Sequence, residues 1–435
     1  MKLTTAGGEA TAPVRVLFFD HTAKLGGGEI ALFHLLLHLD KQRFTPVLVL
    51  GEEGPLAEKT RAGGIETCII PLAAHVSQTR KDSLGAGSLV KLRAIVSSIA
   101  YSWRLSRFIR SRRADIVHTN SLKADLIGGI AARLARVPVV WHVRDRIEPD
   151  YLPGPVVAVF RWLCRTIPNF VVANSAATLE TIRLPGHKLR AVVHSGYAFM
   201  GDSSALVHDG VEPRAPIGKR NPNRILIGLV GRISRWKGQH VFLEAAAIVR
   251  RQFPTARFQI IGAPMFGEEA YEAEIRALTR TLKLEDCVDF LGFRTDVTQL
   301  MEEFDLLVHA SITGEPFGQV ITEAMVVGKP VVATRGGGVP EIVQDGVTGL
   351  LVPMGDVPAM AKAICTILSD PERAMAMGIE GRARVLRHFT VSGTARRLES
   401  VFLKILKRTD DTRQPDAPRD AMLDAEAAAG FNSNL

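Results

Sequence analysis

The feature that most constrains the fold is the regular alternation of short apolar runs, rich in β-branched residues, with longer segments of helical periodicity. Runs such as Val14–Phe19, Phe170–Ala173 and Leu306–His309 are apolar at nearly every position, so both faces of the strands they predict must be buried. Strands that alternate with helices pair in parallel through right-handed crossovers. The sequence therefore predicts an α/β protein built on doubly wound parallel sheets.

Two sets of strands are predicted, because a chain of 435 residues is long for a single hydrophobic core. The pattern loses its periodicity from about Gly196 to Asn223, a segment rich in Gly, Pro, Asp and Ser, and then begins again. The strands are predicted at Val14–Phe19, Thr45–Leu50, Ile65–Ile70, Asp115–Thr119, Val137–His142, Phe170–Ala173 and Arg190–Val193, and then at Arg224–Val230, Arg257–Ile261, Cys287–Leu291, Leu306–His309, Pro330–Ala333 and Gly349–Val352.

These boundaries predict two facing Rossmann-like domains, over residues 1–200 and 224–390, joined by a linker at 201–223. A helix over 391–408 is expected to pack back on the first domain, and the polar, Ala-rich residues 409–435 are expected to be disordered. Because open α/β sheets bind ligands outside the carboxyl ends of their strands, we expect the site in a cleft between the two sheet edges.

Composition limits the partners and the compartment. The formal charge of +9 favours an anionic partner, which the charge alone does not identify. The four cysteines have no short spacing, which argues against a disulfide framework or a zinc site and fits a reducing cytoplasm. The N-terminus lacks a signal-peptide pattern and no window is apolar enough to span a membrane. We expect an intracellular protein, either soluble or peripheral at the inner face of the cell membrane.

The stretch "GEPFGQVITEAMVVGKPVVATRGGGVPE", Gly314 to Glu341, carries the strongest chemical pattern. Pro316 and Gly318 keep Glu315 on a loop at the carboxyl end of a strand. The N–H groups of residues 317–320 then begin a helix, where the dipole favours an anion. Glu323 lies one turn further, and its carboxylate suits the two hydroxyls of a ribose. The alternative is a solvated loop glutamate followed by an ordinary helix start.

Two further segments are expected at the same sheet edges. Arg232 and Lys237, in "GRISRWKG", follow a strand and could neutralise a diphosphate and stabilise it as a leaving group. Gly27 and Gly28 follow the first strand, and without side chains their backbone could approach a phosphate or sugar. Solvated cations and an ordinary glycine turn are the alternatives in the two cases.

Several motifs of this sequence resemble those of a known family and occur in the same order along the chain. The family is that of the retaining, nucleotide-sugar-dependent glycosyltransferases of family 4, which have the GT-B fold. The stretch from Gly314 resembles their E-x7-E region, and "LVGRISRWKGQHVFLEAAA" resembles their first C-domain strand and phosphate loop. "VDFLGFRTDV" is similar to the base-binding turn, "GGGEIALFHLLLHL" to the N-terminal glycine loop, and "HTNSLKADLIGGIAARLARVPVVWHVRD" to the segment with a donor-site histidine.

The resemblance implies a role for each matching residue. Glu315, His142, Arg232 and Lys237 would act at the reacting sugar and the diphosphate, with His142 near the donor sugar's hydroxyls; Arg144 and Asp145 beside it are weaker candidates. The donor and nucleotide would be bound by Gly27, Gly28, Arg232, Lys237, Arg294, Phe317, Gly318, Gln319, Val320 and Glu323.

The implied reaction moves a sugar from a nucleotide diphosphate-sugar to an acceptor hydroxyl of a glycan or lipid-linked glycan, with retention of anomeric configuration. Bacterial envelope polysaccharide or glycolipid synthesis is the expected context. No covalent nucleophile is assigned, because no second carboxylate is identifiable at a suitable distance. His34 and His38 lack the further ligands of a metal site, so neither a catalytic metal nor another cofactor is expected, and no nucleic acid.

Other functions remain open from the sequence. A nicotinamide-dependent oxidoreductase would use the glycine loop with Glu52 and Glu53, although "LGGGEIA" lacks the third glycine of G-x-G-x-x-G. A non-catalytic nucleotide-sugar-binding protein would keep the phosphate site without turnover. An epimerase or a phosphorylase of similar architecture is a further alternative.

The segment 89–113 predicts an amphipathic helix whose end is dense in arginine. Its apolar stripe, from Leu89 to Trp103, is typical of a crossover helix that packs on a sheet. The arginines and Trp103 would also suit an anionic membrane surface. The two interpretations are compatible, because one face can pack while the other meets headgroups.

Overall fold

The structure is a computed structural model that describes residues 12–73, 88–198, 224–265 and 267–411. The predicted linker, residues 201–223, lies outside the described residues, as do residues 412–435 of the predicted tail. The last helix continues to Asp411, past the predicted end at residue 408, so residues 409–411 are helical rather than part of a tail. Among the described residues, no helix combines the length and hydropathy needed to cross a bilayer.

The first sheet has seven parallel strands in the order β3-β2-β1-β4-β5-β6-β7. Its strands are β1 Val14–Asp20, β2 Phe44–Leu50, β3 Glu66–Ile69, β4 Ile116–Thr119, β5 Val139–Val143, β6 Phe170–Ala173 and β7 Arg190–Val192. Helices α1 Gly27–His38 and α2 Pro55–Ala62 cover one face of the sheet, and α3 Ser88–Ser111, α4 Leu122–Ala135, α5 Gly154–Thr166 and α6 Ala176–Ile182 cover the other.

The second sheet has six parallel strands in the order β10-β9-β8-β11-β12-β13. Its strands are β8 Ile225–Val230, β9 Ala256–Ile261, β10 Val288–Gly292, β11 Leu306–His309, β12 Val331–Thr334 and β13 Leu350–Val352. Helices α7 Gln239–Gln252, α8 Glu269–Thr281 and α12 Val357–Ser369 pack on one face, and α9 Val297–Glu302, α10 Gln319–Val326, α11 Val339–Ile342 and α13 Pro371–His388 on the other. The prediction of two doubly wound parallel sheets is confirmed.

The final helix, α14 Val391–Asp411, packs on the first sheet although it follows the second in sequence. Its Phe402 is buried, and the centroid of the Phe402 ring lies 6.2 Å from that of Phe18, 5.9 Å from that of Phe44 and 6.0 Å from that of His118. The chain thus crosses between the domains twice, at the linker and again before α14, so the two sheets cannot separate without moving both crossings.

The carboxyl ends of the two sheets face each other. A Cβ atom placed on Gly27, which follows β1, would lie 3.5 Å from the side-chain oxygen of Gln319 at the start of α10. Arg146, beyond β5, donates to the carbonyl oxygen of Gly314 beyond β11 at 3.3 Å. Both predicted halves of the site therefore meet at one cleft.

The packing of α14 yields a stability test. Replacing Phe402 by Ala leaves a cavity against three aromatic rings, so we expect the free energy of unfolding to fall by about 3–5 kcal/mol. Lys404→Ala, on the exposed side of the same helix, should change it by less than about 0.5 kcal/mol. Urea denaturation measures both variants, and equal effects would show that α14 contributes little to the first core.

Candidate active site

The loop that carries Glu315 is held in place by backbone contacts with the glycine loop after β12. Glu315 and Gly337 form a parallel bridge, and the Gly338 N–H donates to the Glu315 carbonyl oxygen at 2.8 Å. Gly337 has a φ of +60°, and a Cβ there would lie 1.9 Å from the same carbonyl oxygen. Only glycine fits this approach. The glycines at 336–338 therefore position Glu315.

The Glu315 carboxylate is the centre of a charged cluster. Its Oε2 atom accepts hydrogen bonds from Lys237 Nζ at 2.7 Å and Ser311 Oγ at 3.1 Å, and His309 Nε2 lies 3.3 Å away. Both Glu315 and Lys237 are largely buried. Burial by itself would raise the carboxyl pKa, but the charge of Lys237 and the contacts of His309 hold the pKa well below its ordinary value. The carboxylate is therefore ionised at neutral pH.

The start of α10, directly after this loop, offers backbone donors to an anion. Gly318 precedes the helix with a φ of 115°, and the N–H groups of Gly318, Gln319 and Val320 have no acceptor within the described part of the chain. The prediction for Phe317 concerns its backbone N–H, and its side chain is buried against the rings of His194 and Phe389. The phosphate-binding capacity of this turn therefore lies in its backbone.

Glu323 lies one turn into α10 and has the opposite electrostatic environment to Glu315. Burial raises its pKa to about 7, and the hydrogen bond from Gln319 opposes that rise only in part. The two glutamates of this helix region are therefore an ionised carboxylate beside a cation and a carboxyl group that titrates near neutrality.

The other predicted residues of the second domain are less well defined by their contacts. Arg232 is half-buried, and its carbonyl oxygen accepts a hydrogen bond from Gln239 Nε2 at 2.9 Å. Arg294 lies in the turn after β10 and donates from Nε to Asp296 Oδ1 at 2.8 Å, with both side chains exposed to solvent. Roles for these two arginines toward a ligand stay predictions.

On the first domain, Arg144 rather than His142 lies at the carboxyl end of strand β5. The predicted strand ended at His142, but β5 continues to Val143. His142 is therefore within the strand and fully buried, 5.3 Å from the ring of His118, and burial with neighbouring Arg144 lowers its pKa well below 6.5. The His142 side chain has no exposed surface in this conformation, and its role toward a donor sugar stays a prediction.

Arg144 instead joins a polar network at the carboxyl edge of the first sheet. Its guanidinium donates to Asn120 Oδ1 at 2.8 Å and to Ser195 Oγ at 2.9 Å. Asn120 Nδ2 in turn donates to the carboxylate of Asp20 at 2.9 Å and to the carbonyl oxygen of Gly28 at 3.2 Å. The network fixes the glycine loop that faces α10. The sequence signal for Arg144 was its position directly after a buried strand.

A second contact between the domains was not predicted. Glu341, the last residue of the stretch that begins at Gly314, accepts hydrogen bonds from the backbone N–H groups of Ala176 and Ala177 at 2.9 Å each. His194 Nε2 lies 2.8 Å from the same carboxylate. Since both alanines begin α6 on the first domain, the carboxylate joins the second domain to a helix N-terminus.

The carbonyl oxygen of Pro316 forms the other half of this contact. It accepts hydrogen bonds from Ser175 Oγ at 2.6 Å and Thr178 Oγ1 at 3.1 Å, both buried. Pro316 follows Glu315, so the first domain holds the loop that bears the buried carboxylate. We call the contacts of Glu341 and Pro316 with residues 175–178 and 194 the interdomain clamp.

Comparison with known proteins agrees with this geometry. Residues 25–196 match the family described as Glycosyltransferase Family 4, and residues 213–384 match Glycosyl transferases group 1. The chain is 32% identical over 314 residues to EpsD of Bacillus subtilis, a protein provisionally named a glycosyltransferase, and the match covers 70% of this chain and 80% of EpsD.

Other relatives match this chain over shorter stretches of sequence, and a solved structure matches its fold. AmsK of Erwinia amylovora, an amylovoran biosynthesis glycosyltransferase, is 29% identical over 245 residues, which cover 54% of this chain and 57% of AmsK. The chain spans only 42% of the D-inositol 3-phosphate glycosyltransferase of Corynebacterium kroppenstedtii. The crystal structure of Anabaena HepE in complex with UDP and glucose superposes with a TM-score of 0.74 and 28% identity, over 90% of this chain and all of HepE.

The interdomain clamp gives a prediction with a defined pH dependence. Burial raises the pKa of Glu341, but His194 and the two backbone N–H groups outweigh it and lower the pKa overall. A lowered carboxyl pKa stabilises the fold above the ordinary value of 4.5, and this stabilisation is lost as the pH falls below it. Glu341→Gln should therefore cost about 1.5–3 kcal/mol at pH 7, and the difference from the parent should shrink near pH 4.

Denaturant unfolding at both pH values measures this difference, with the exposed Glu380→Gln as the matched control. If the Glu341 variant were equally destabilised at both pH values, the charge of this carboxylate would not be what holds the domains.

Proposed function

The chain belongs to the glycosyltransferases built from two facing Rossmann-like domains, and from this premise we propose that it transfers a hexosyl group from a nucleotide diphosphate-sugar to an acceptor hydroxyl with retention of anomeric configuration. The observation that carries the proposal is the largely buried Lys237–Glu315 pair, at 2.7 Å, with Glu315 directly before the start of α10. A cation and backbone donors side by side suit a diphosphate leaving group.

We propose UDP-hexoses as the first donors to test. Support comes from HepE, whose crystal structures contain UDP-glucose or UDP, at 27% identity and with TM-scores of 0.74 and 0.73. Glu323 would accept hydrogen bonds from the ribose hydroxyls, and the N–H groups of Gly318, Gln319 and Val320 would bind the diphosphate with Lys237 and Arg232. Gly27, facing Gln319, would bring the backbone of the first domain to the donor.

Chemically, the bond from the anomeric carbon to the diphosphate oxygen breaks, and the acceptor oxygen forms a bond to the same carbon. Lys237 and the α10 N–H groups would stabilise the negative charge that develops on the diphosphate. Glu315, kept ionised by Lys237, would orient the donor sugar. The acceptor proton would pass to the departing phosphate oxygen, so no protein carboxylate needs to act as base. Neither a metal nor another cofactor is part of this proposal.

The proposed acceptor is a glycan or a lipid-linked glycan of the bacterial envelope. AmsK, a relative, is named for the biosynthesis of a polysaccharide. The four cysteines are unpaired thiols, which suits the cytoplasm as the proposed compartment. The nicotinamide-dependent alternative has no support in the family match, and a non-catalytic nucleotide-sugar-binding protein would differ from the proposal only in turnover.

Turnover of UDP-hexoses tests the function. We expect slow hydrolysis of at least one donor in the absence of acceptor, and a sugar product whose first-formed anomer, read by NMR, matches the donor. Lys237→Ala should lower the rate about 100-fold or more, because the developing charge loses its cation. Arg235→Ala is the matched control, since Arg235 is an exposed cation of the same turn that pairs with Glu274 instead.

Thermal stability of each variant is measured in parallel, because Glu315 also loses its partner in Lys237→Ala. An inverted product anomer would end the proposal of retention, and binding of UDP-hexose without any turnover would favour the non-catalytic alternative. Equal rates for Lys237→Ala and the parent would remove Lys237 from the leaving-group site.

Glu323 predicts how nucleotide binding depends on pH. Its pKa near 7 means that the carboxylate needed to accept ribose hydrogen bonds is lost as the pH falls below 7. The affinity for UDP should therefore decrease below pH 7, approaching about tenfold per pH unit. Glu323→Gln should bind more weakly at pH 8 and show a flatter profile between pH 8 and 5.5.

Calorimetric titrations compare the two proteins, and the titration of the nucleotide's own phosphate is common to both. If the parent and the variant gave parallel pH profiles, Glu323 would not be the group that contacts the ribose.

A further inference from the structure

Three neighbouring helices of the first domain each expose a pair of large apolar side chains on their outer side. The pairs are Ile99 and Trp103 on α3, Ile130 and Leu134 on α4, and Val159 and Trp162 on α5, and each residue is between 39% and 60% exposed. The spacing of three or four residues aligns each pair along one side of its helix. We call this surface the outer helix face.

These exposed pairs are additional to the residues that hold the helices on the sheet. Tyr101, Leu105 and Ile109 of α3 pack inward with Phe160 of α5, in the core between the helices and the first sheet. Ser102 Oγ of α3 donates to the carbonyl oxygen of Ile127 at 3.2 Å, so α3 and α4 are closely packed without the outer pairs. The predicted packing stripe ran from Leu89 to Trp103, but its members Ile99 and Trp103 are exposed, and this part of α3 packs through Tyr101, Leu105 and Ile109 instead.

The charge on this face is of one sign. The only acidic side chain on the three helices is Asp125, and it is buried. Exposed arginines lie on the helices and at their ends: Arg104, Arg107, Arg110, Arg113, Arg133, Arg136 and Arg165. Among the described residues, none of these arginines forms an ion pair with a carboxylate. Part of their hydrogen-bonding capacity serves the fold, since Arg133 donates to the carbonyl oxygens of Ile167 and Thr166.

Tryptophan beside arginine is the combination found where proteins meet lipid headgroups. The Arg107 guanidinium lies over the Trp103 ring at 4.9 Å. Indole rings prefer the boundary between water and hydrocarbon, and arginines near an anionic bilayer surface add electrostatic attraction. Arginine and tryptophan are also enriched at protein–protein interfaces, but there the anchoring side chains cluster in one pocket. Here the apolar pairs are spread over three helices, which suits the broad surface of a bilayer.

We propose that the outer helix face, on α3, α4 and α5, docks the protein on an anionic lipid bilayer. The argument is independent of the transfer reaction, although a membrane-bound enzyme would suit the lipid-linked acceptor proposed above. The mode is peripheral: the apolar pairs enter the headgroup region while the arginines contact lipid phosphates.

Vesicle co-sedimentation of the full chain tests the proposal. We expect binding to phosphatidylcholine vesicles that contain about 30% phosphatidylglycerol and little binding to phosphatidylcholine alone, because each arginine at an anionic surface contributes about fivefold. Binding should weaken as salt is raised. The charge variant Arg104→Ser/Arg107→Ser/Arg110→Ser should lower the partition coefficient about a hundredfold, and Trp103→Ser/Trp162→Ser should also lower it, by removing the apolar anchors.

The matched control is Met375→Ser/Ile379→Ser on α13, which removes a half-exposed apolar pair of the same spacing from the other domain. It should bind vesicles like the parent. Tryptophan fluorescence gives an independent readout: the parent should shift to the blue on anionic vesicles, and Trp103→Ser/Trp162→Ser, which retains the buried Trp141 and the partly buried Trp236, should not.

The outcomes separate this inference from the proposed function. No binding by the parent, or a loss no greater for the two face variants than for the control, overturns the docking surface and leaves UDP-hexose turnover untouched. Retained hydrolysis of soluble donor by the face variants, with loss of vesicle binding, supports a docking role. Vesicle binding that depends on the arginines but not on the tryptophans would overturn the entry of the apolar pairs into the headgroup region.

Discussion

The ion pair between Lys237 and Glu315 is the interaction on which the second domain's half of the site depends. A largely buried carboxylate without a cation would take up a proton, because burial raises its pKa. Lys237 follows β8 and Glu315 follows β11, and these strands are neighbours at the point where the order of the sheet reverses. The pair therefore joins the two loops at the position where open α/β sheets bind their ligands.

The first domain contributes to the same loop through the interdomain clamp. The Pro316 carbonyl oxygen is bound by two hydroxyl groups of residues 175–178, while the Glu315 carbonyl oxygen is bound by Gly338. Consecutive residues of one short loop are thus held from different directions. If the domains moved apart, the contacts of Pro316 would break while those of Glu315 with Gly338 could persist. Domain closure and the position of the carboxylate are coupled by adjacent peptide groups.

Much of this could be predicted from the sequence, because buried parallel strands and polar loop residues leave local patterns. The strands, Glu315 and Lys237 belong to this class. The predicted end of the strand at His142 was one residue short, because β5 continues to Val143, and strand ends leave a weaker local pattern than strand interiors. The contacts of Glu341 join residues about 150 positions apart along the chain, and no local pattern encodes such a pairing. The outer helix face likewise required knowing which helices lie side by side.

The same ion pair also limits how the site can attract its anion. Because Lys237 is already 2.7 Å from Glu315, part of its charge is neutralised before a diphosphate arrives. The remaining attraction must come from groups without a nearby carboxylate, and the backbone N–H groups at the start of α10 are such groups. Backbone dipoles do not titrate, so they can hold the diphosphate over a wide pH range. Lys237 would gain importance as the leaving group separates from the sugar and its negative charge increases, which is where a cation held at fixed distance stabilises a transition state most.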